Sequence, residues 1–175
     1  MTIEQATVAE TAAITGAAEL GGAVRWRGRA TVAKYWADDD LRRATPYEVL
    51  EGDNLLLTAG ATLLLNRLCG IAGTALDETN ARVCVGDGTA AAAAGQTDLQ
   101  GTNKFRKLVD AAPTVSGNQA FFWATFDTSE ANFDWEEAGL ANAAAGATLV
   151  NRFVQSFGTK TSSLQWTLTI TVTAS

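Results

Sequence analysis

What this chain lacks among reactive side chains decides as much as what it has. It has 175 residues and no histidine. That removes the commonest general base, the commonest metal ligand and every Ser-His or Cys-His nucleophile pair. Cys69 and Cys84 are its two thiols, with no C-x-x-C spacing, so a tetrahedral zinc site has no ligand set. They are expected as free, partly buried thiols of a protein made in a reducing cytoplasm, with a Cys69–Cys84 bridge as the alternative. Glu136 and Glu137 are adjacent, so on a strand they face opposite ways and cannot share a substrate. Glu130 with Glu137 is the pair left for glycoside hydrolysis, but no polar, aromatic-lined cleft can be inferred beside it. Asp38-Asp39-Asp40 lacks the central glycine and closing glutamate of a calcium loop and reads as a turn. Gly86-Asp87-Gly88 lacks the third glycine and the Lys-Ser or Lys-Thr of a phosphate loop. The expectation is therefore a chain with no catalytic, metal-binding or cofactor-binding residues.

The chemistry that remains is recognition. Arg25, Arg27 and Arg29 alternate with Val24, Trp26, Gly28 and Ala30, which puts three guanidinium groups on one strand face. Such a face is either solvated or paired with carboxylates of a neighbouring subunit, which the planar guanidinium fork binds bidentately. Trp36 ends the same strand, and Phe121, Phe122, Trp123 and Phe126 make a later strand aromatic on both faces. A strand of that kind is covered on both sides or touches another chain. Arg25, Arg27, Arg29, Trp36 and Phe122 are thus the candidate assembly residues.

The elements that position them are mostly strands. Ser163 to Thr173 alternates Leu164, Trp166, Leu168, Ile170 and Val172 against threonines, serine and glutamine without a break. A period of two is a strand with one apolar and one polar face. Shorter strands are expected around Ala81–Val85, Lys104–Val109, Gln119–Phe126, Phe133–Leu140 and Thr148–Phe157, with an exposed loop over Thr89–Gln100. One helix is expected over about 59–69, capped by Thr58 and stopped by Gly70, with Ala61, Leu64, Leu65 and Leu68 as its buried stripe. Seven or eight strands with regular turn signals and one helix predict a mainly β protein, a jelly-roll-like β-sandwich over 23–175 with a capping helix. Residues 1–22, irregular and rich in alanine, are expected to form an N-terminal arm ordered by a neighbour.

Composition narrows the partners. A net charge of −6 argues against nucleic acid, whose phosphates need clustered Lys and Arg. No apolar run has the length of a membrane span, and the N-terminus has no basic start of a secretory signal. Charged residues are 18 %, below the usual quarter, which suggests surface covered by partners.

From residue 53 onward the order of motifs resembles a family of tailed-bacteriophage structural proteins. The matching residues are Asp53-Asn54-Leu55-Leu56 with the Thr58-to-Gly70 helix, then Val83-Cys84-Val85-Gly86-Asp87-Gly88 and Gln96-Thr97-Asp98-Leu99. Thr125-Phe126, Glu130-Ala131-Asn132, Trp135-Glu136-Glu137-Ala138-Gly139-Leu140, Asn151-Arg152, Gly158-Thr159-Lys160 and the Trp166 strand follow. The resemblance implies a non-enzymatic virion component, either head decoration or head fibre, or a tail-fibre or collar domain. A tail fibre needs a shaft and a receptor-binding tip after its attachment domain, and nothing follows Ser175. The expectation is a multimeric capsid decoration protein on the head surface, binding its own copies and the major capsid protein. A tail adaptor is the alternative, and a cell-wall hydrolase is disfavoured.

Overall fold

The computed structural model describes residues 25–175, so the arm expected over 1–22 lies outside the described residues. Among the described residues ten strands and one helix follow in the order β1 (Trp26–Trp36), β2 (Glu48–Asp53), β3 (Leu55–Leu56), α1 (Thr58–Leu68), β4 (Arg82–Gly86), β5 (Lys104–Leu108), β6 (Thr114–Ser116), β7 (Gln119–Phe126), β8 (Asp134–Ala141), β9 (Leu149–Thr159) and β10 (Leu164–Ala174). β2 and the short β3 and β6 carry too little alternation to be read from sequence. The strands form two five-stranded antiparallel sheets, β2-β1-β10-β7-β6 and β3-β9-β8-β4-β5, packed as a sandwich.

The alternation of β10 builds the core. Leu164, Trp166, Leu168, Ile170 and Val172 all point inward and are buried. Opposite them in register, β1 supplies Val32 and Ala30 and β7 supplies Ala124 and Phe122. The second sheet answers with Val83, Val85, Trp135, Ala138, Leu140, Val150 and Phe153. At the centre, Trp135 meets Phe126 at 4.7 Å and Trp166 at 4.9 Å between ring centroids, both edge to face. That geometry sets the positive ring edge on the negative ring face. Lys34, also buried, lies 4.5 Å over the Trp166 ring and reaches Glu48 at 2.6 Å.

The pairing of β8 with β9 slips between Trp135 and Glu137. A bulge of this kind re-aims side chains. Trp135, Ala138 and Leu140 therefore all reach the core between the sheets, although their numbers do not share a parity. Cys84, Ala141 and Leu149 instead join Leu57 and Leu99 in a second, smaller cluster. The second sheet is thus covered on both faces where this cluster lies.

The helix begins one residue before its expected start. Thr58 is its first residue rather than its cap; Leu57 precedes it in extended conformation with no side-chain cap bond. Its end is as expected: Gly70 has φ +70°, its N–H donates to Arg67 O, and the Ile71 N–H donates to Asn66 O. These two bonds satisfy carbonyls that the helix leaves open. The expected stripe of Ala61, Leu64, Leu65 and Leu68 is corrected by the structure. The helix buries Gly60 and Leu63, while Leu65 is 56 % and Leu68 81 % exposed. The cause is Gly60, where a Cβ would stand 2.1 Å from Val150 O. The bare backbone lets α1 press onto β9 there, and that contact turns the leucines outward.

Candidate interaction surfaces

The five candidate assembly residues do not form one patch. Arg25, Arg27 and Arg29 are exposed on the outward face of the first sheet, as their spacing requires. Arg29 Nη1 donates to Glu51 Oε2 at 3.1 Å, with both side chains more than half exposed. Trp36 stands at the opposite end of β1 and stacks on Tyr47 at 4.8 Å. Phe122 is a correction: it is 5 % exposed and lies opposite Ile170 on the inner face, so it belongs to the core. Phe121 and Trp123 take the outward positions of β7 and are half-buried there.

Register arranges the outward face into rows. Asp53, Arg29, Thr171 and Phe121 lie opposite one another across four strands, and Arg27, Thr173 and Gln119 form the next row. Between these rows is an open groove of about 690 Å³, lined also by Thr31, Glu51 and Asn54. Gly28, on the inward parity of β1, leaves space for the Asn54 side chain, because a Cβ there would fall 2.3 Å from the Asn54 amide.

A second surface is apolar. A cleft of about 270 Å³ is lined by Trp26, Leu64, Leu76, Val115, Phe122 and Val172. Leu64 leads one helical turn on to Leu68, and Leu65, Leu68 and Ile71 are all more than half exposed. Val115, on the edge strand β6, is 76 % exposed. Sequence reasoning missed this surface because it assigned the leucine stripe to the core.

The motif residues with acid–base potential are engaged elsewhere. Glu137 and Arg152 are both fully buried, and Arg152 Nε donates to Glu137 Oε2 at 2.6 Å. The same carboxylate accepts from the N–H groups of Gln100 at 2.9 Å and Gly101 at 2.7 Å. Arg152 Nη1 donates to Ala90 O and Gln96 Oε1. A Cβ at Gly86 or Gly88 would lie 2.6 Å from Glu137 Oε1, so these glycines admit a carboxylate rather than cradle a phosphate. The segment 89–100 is the mostly exposed loop expected from the sequence, held to the sheet through Arg152 and Glu137, with Leu99 its one buried residue at 1 % exposed.

Asp98 holds the next turn by accepting from Lys104 at 3.2 Å, from Arg106 and from the Leu99 N–H. Burial pushes its carboxyl up, but these donors outweigh it and hold the pKa below the ordinary value.

Lys160, 1 % exposed, donates to Asp127 O, Glu130 O and Asn132 Oδ1. Burial lowers its pKa against the attraction of Asp127 and Glu130. Glu130 itself pairs with Lys107 and accepts from the Asp127 N–H. Glu130 and Glu137 therefore sit in separate networks, and Glu137 has no route to a substrate.

Cys69 is exposed and Cys84 buried, both as free thiols. Among the described residues no group of three or more His, Cys, Asp or Glu could hold a metal ion, and no helix is long and apolar enough to cross a membrane. No protein-family model, curated protein or solved structure matches this chain.

Proposed function

We propose that the chain is a non-enzymatic structural protein of a tailed-bacteriophage virion, a decoration protein seated on the head through the major capsid protein. The observation that carries this reading is the apolar cleft lined by Val115, Trp26 and Leu64, together with the exposed Leu65, Leu68 and Ile71 at the end of α1. Apolar side chains gathered in an exposed cleft suit a protein contact. The structural roles of Gly86, Gly88, Glu137, Arg152 and Lys160 support the reading further. The motifs that resemble virion proteins serve to hold long loops on a rigid sandwich, which suits a shell component better than a catalyst. The exposed rings of Trp36 and Tyr47 offer a further contact for neighbouring copies.

The test is binding to purified empty heads, followed by imaging of decorated particles. Wild-type chain should saturate the heads, and a Leu65→Ser, Leu68→Ser, Ile71→Ser variant should bind weakly while keeping its fold. Binding to tails alone would move the tail-adaptor reading ahead. Undiminished head binding by the triple variant would reject this surface as the contact.

A further inference from the structure

We propose that the groove on the outward face of the first sheet is a saccharide-binding site. This inference goes beyond the virion reading and does not depend on it; its residues share only Gln119 with the apolar cleft.

The argument rests on what the groove can bond. Arg27 and Arg29 offer N–H donors, Glu51 and Asp53 offer acceptors, and Thr31, Thr171, Thr173 and Gln119 can do both. Arg27 has no carboxylate partner among the described residues, whereas Arg29 is held by Glu51. Donors and acceptors therefore alternate within a few ångströms, on strands that lie about 4.8 Å apart.

A ligand that fills such a groove must itself carry donors and acceptors at high density. A polyanion would satisfy the arginines but would be repelled by Glu51 and Asp53. An apolar ligand would strand every polar group in the lining. A sugar ring meets the requirement, since each hydroxyl both donates and accepts.

Two further features fit the same ligand. Phe121 closes one side of the groove with an aromatic ring, against which the C–H face of a sugar can pack. The site is also rigid, because the groove floor is the hydrogen-bonded centre of the sheet, where β1, β10 and β7 pair. A preformed site avoids the entropy cost of ordering loops around its ligand.

The test uses the full chain on an array of neutral oligosaccharides cut from bacterial surface polysaccharides. Any sugar retained would then be titrated calorimetrically against wild-type, Arg27→Ala and Phe121→Ala. Arg27→Ala should weaken binding about tenfold or more, the scale of one lost charge-assisted bond, and Phe121→Ala should weaken it up to about tenfold through lost ring packing. Arg43→Ala, on the exposed turn at the other end of β1, should change nothing. Arg27 is exposed, so its variant should keep the wild-type fold and give a clean reading even where Phe121→Ala does not. Retention of no sugar, or binding unchanged in Arg27→Ala, would overturn the proposal. So would loss of head binding in Arg27→Ala without sugar binding by the wild type, since the face would then be a protein contact.

Discussion

Arg152 Nε donates to Glu137 Oε2 at 2.6 Å with neither side chain exposed to solvent, and the pair anchors a loop rather than a substrate. Arg152→Met would leave the Glu137 carboxylate buried with two backbone donors and no countercharge. The expected loss is about 3–5 kcal/mol in a urea melt, the cost of stranding one member of a buried pair. Replacing both residues by neutral ones should recover part of that loss. Stability equal to wild type in the single variant would show that the loop does not depend on the pair.

Trp166 is 1 % exposed at the centre of the aromatic cluster, whereas Thr167 points outward and shares a hydroxyl contact with Thr125. Trp166→Ala should cost about 3–5 kcal/mol, as for other buried aromatic truncations. Thr167→Ala should cost under about 1 kcal/mol. Equal losses at the two positions would contradict the assignment of faces.

Asp98 titrates below the ordinary carboxylate value when folded. A depressed carboxyl pKa contributes stability that is complete above the unfolded value of about 3.9 and fades as pH falls through the folded one. The melting temperature of wild type should therefore exceed that of Asp98→Asn at pH 7, and the gap should close in acid below that window. A gap independent of pH would show that Asp98 acts through packing rather than charge.

Burial pushes the Cys84 thiol up to about 12, while Cys69 stands exposed at the end of α1. The thiolate is the reactive form, so Cys69 should react with a chromogenic disulfide reagent in the native protein and Cys84 should not. Both should react after unfolding in denaturant without a reductant. A second thiol that appears only after reduction would reveal a disulfide.

Legibility from sequence followed periodicity. β10 and the arginine face of β1 could be read because a period of two admits one arrangement, and the end of α1 could be read because Gly70 has the backbone freedom its φ demands. Phe122 was placed wrongly because Phe121, Phe122 and Trp123 are consecutive, and an unbroken aromatic run does not say which ring faces inward. The leucines of α1 misled for a related reason. A stripe says that one side is apolar, but the side that docks was chosen by Gly60, which has no hydrophobic signature. The burial of Glu137 depends on a bulge and on backbone N–H groups some 36 positions away, neither of which leaves a local pattern. Arg152 and Lys160 carry charge, and buried cations are rare enough that sequence reasoning places them on the surface by default.

The position of β10 has a consequence for how this chain can be made. Trp36 and Gln165 touch across a separation of 129 residues, and β10 lies between β1 and β7. During synthesis β1 can pair with β2, and β6 with β7, long before β10 emerges. Each of those products is a two-stranded ribbon, which is marginal alone in water. The first sheet therefore closes in one late step, when β10 joins two waiting hairpins through both of its edges at once. Contacts of such long sequence separation form slowly, and the waiting edges are open to the wrong partner in the interval. A nascent chain cut short by this single strand would not be a slightly smaller sandwich; its first sheet would be divided in two.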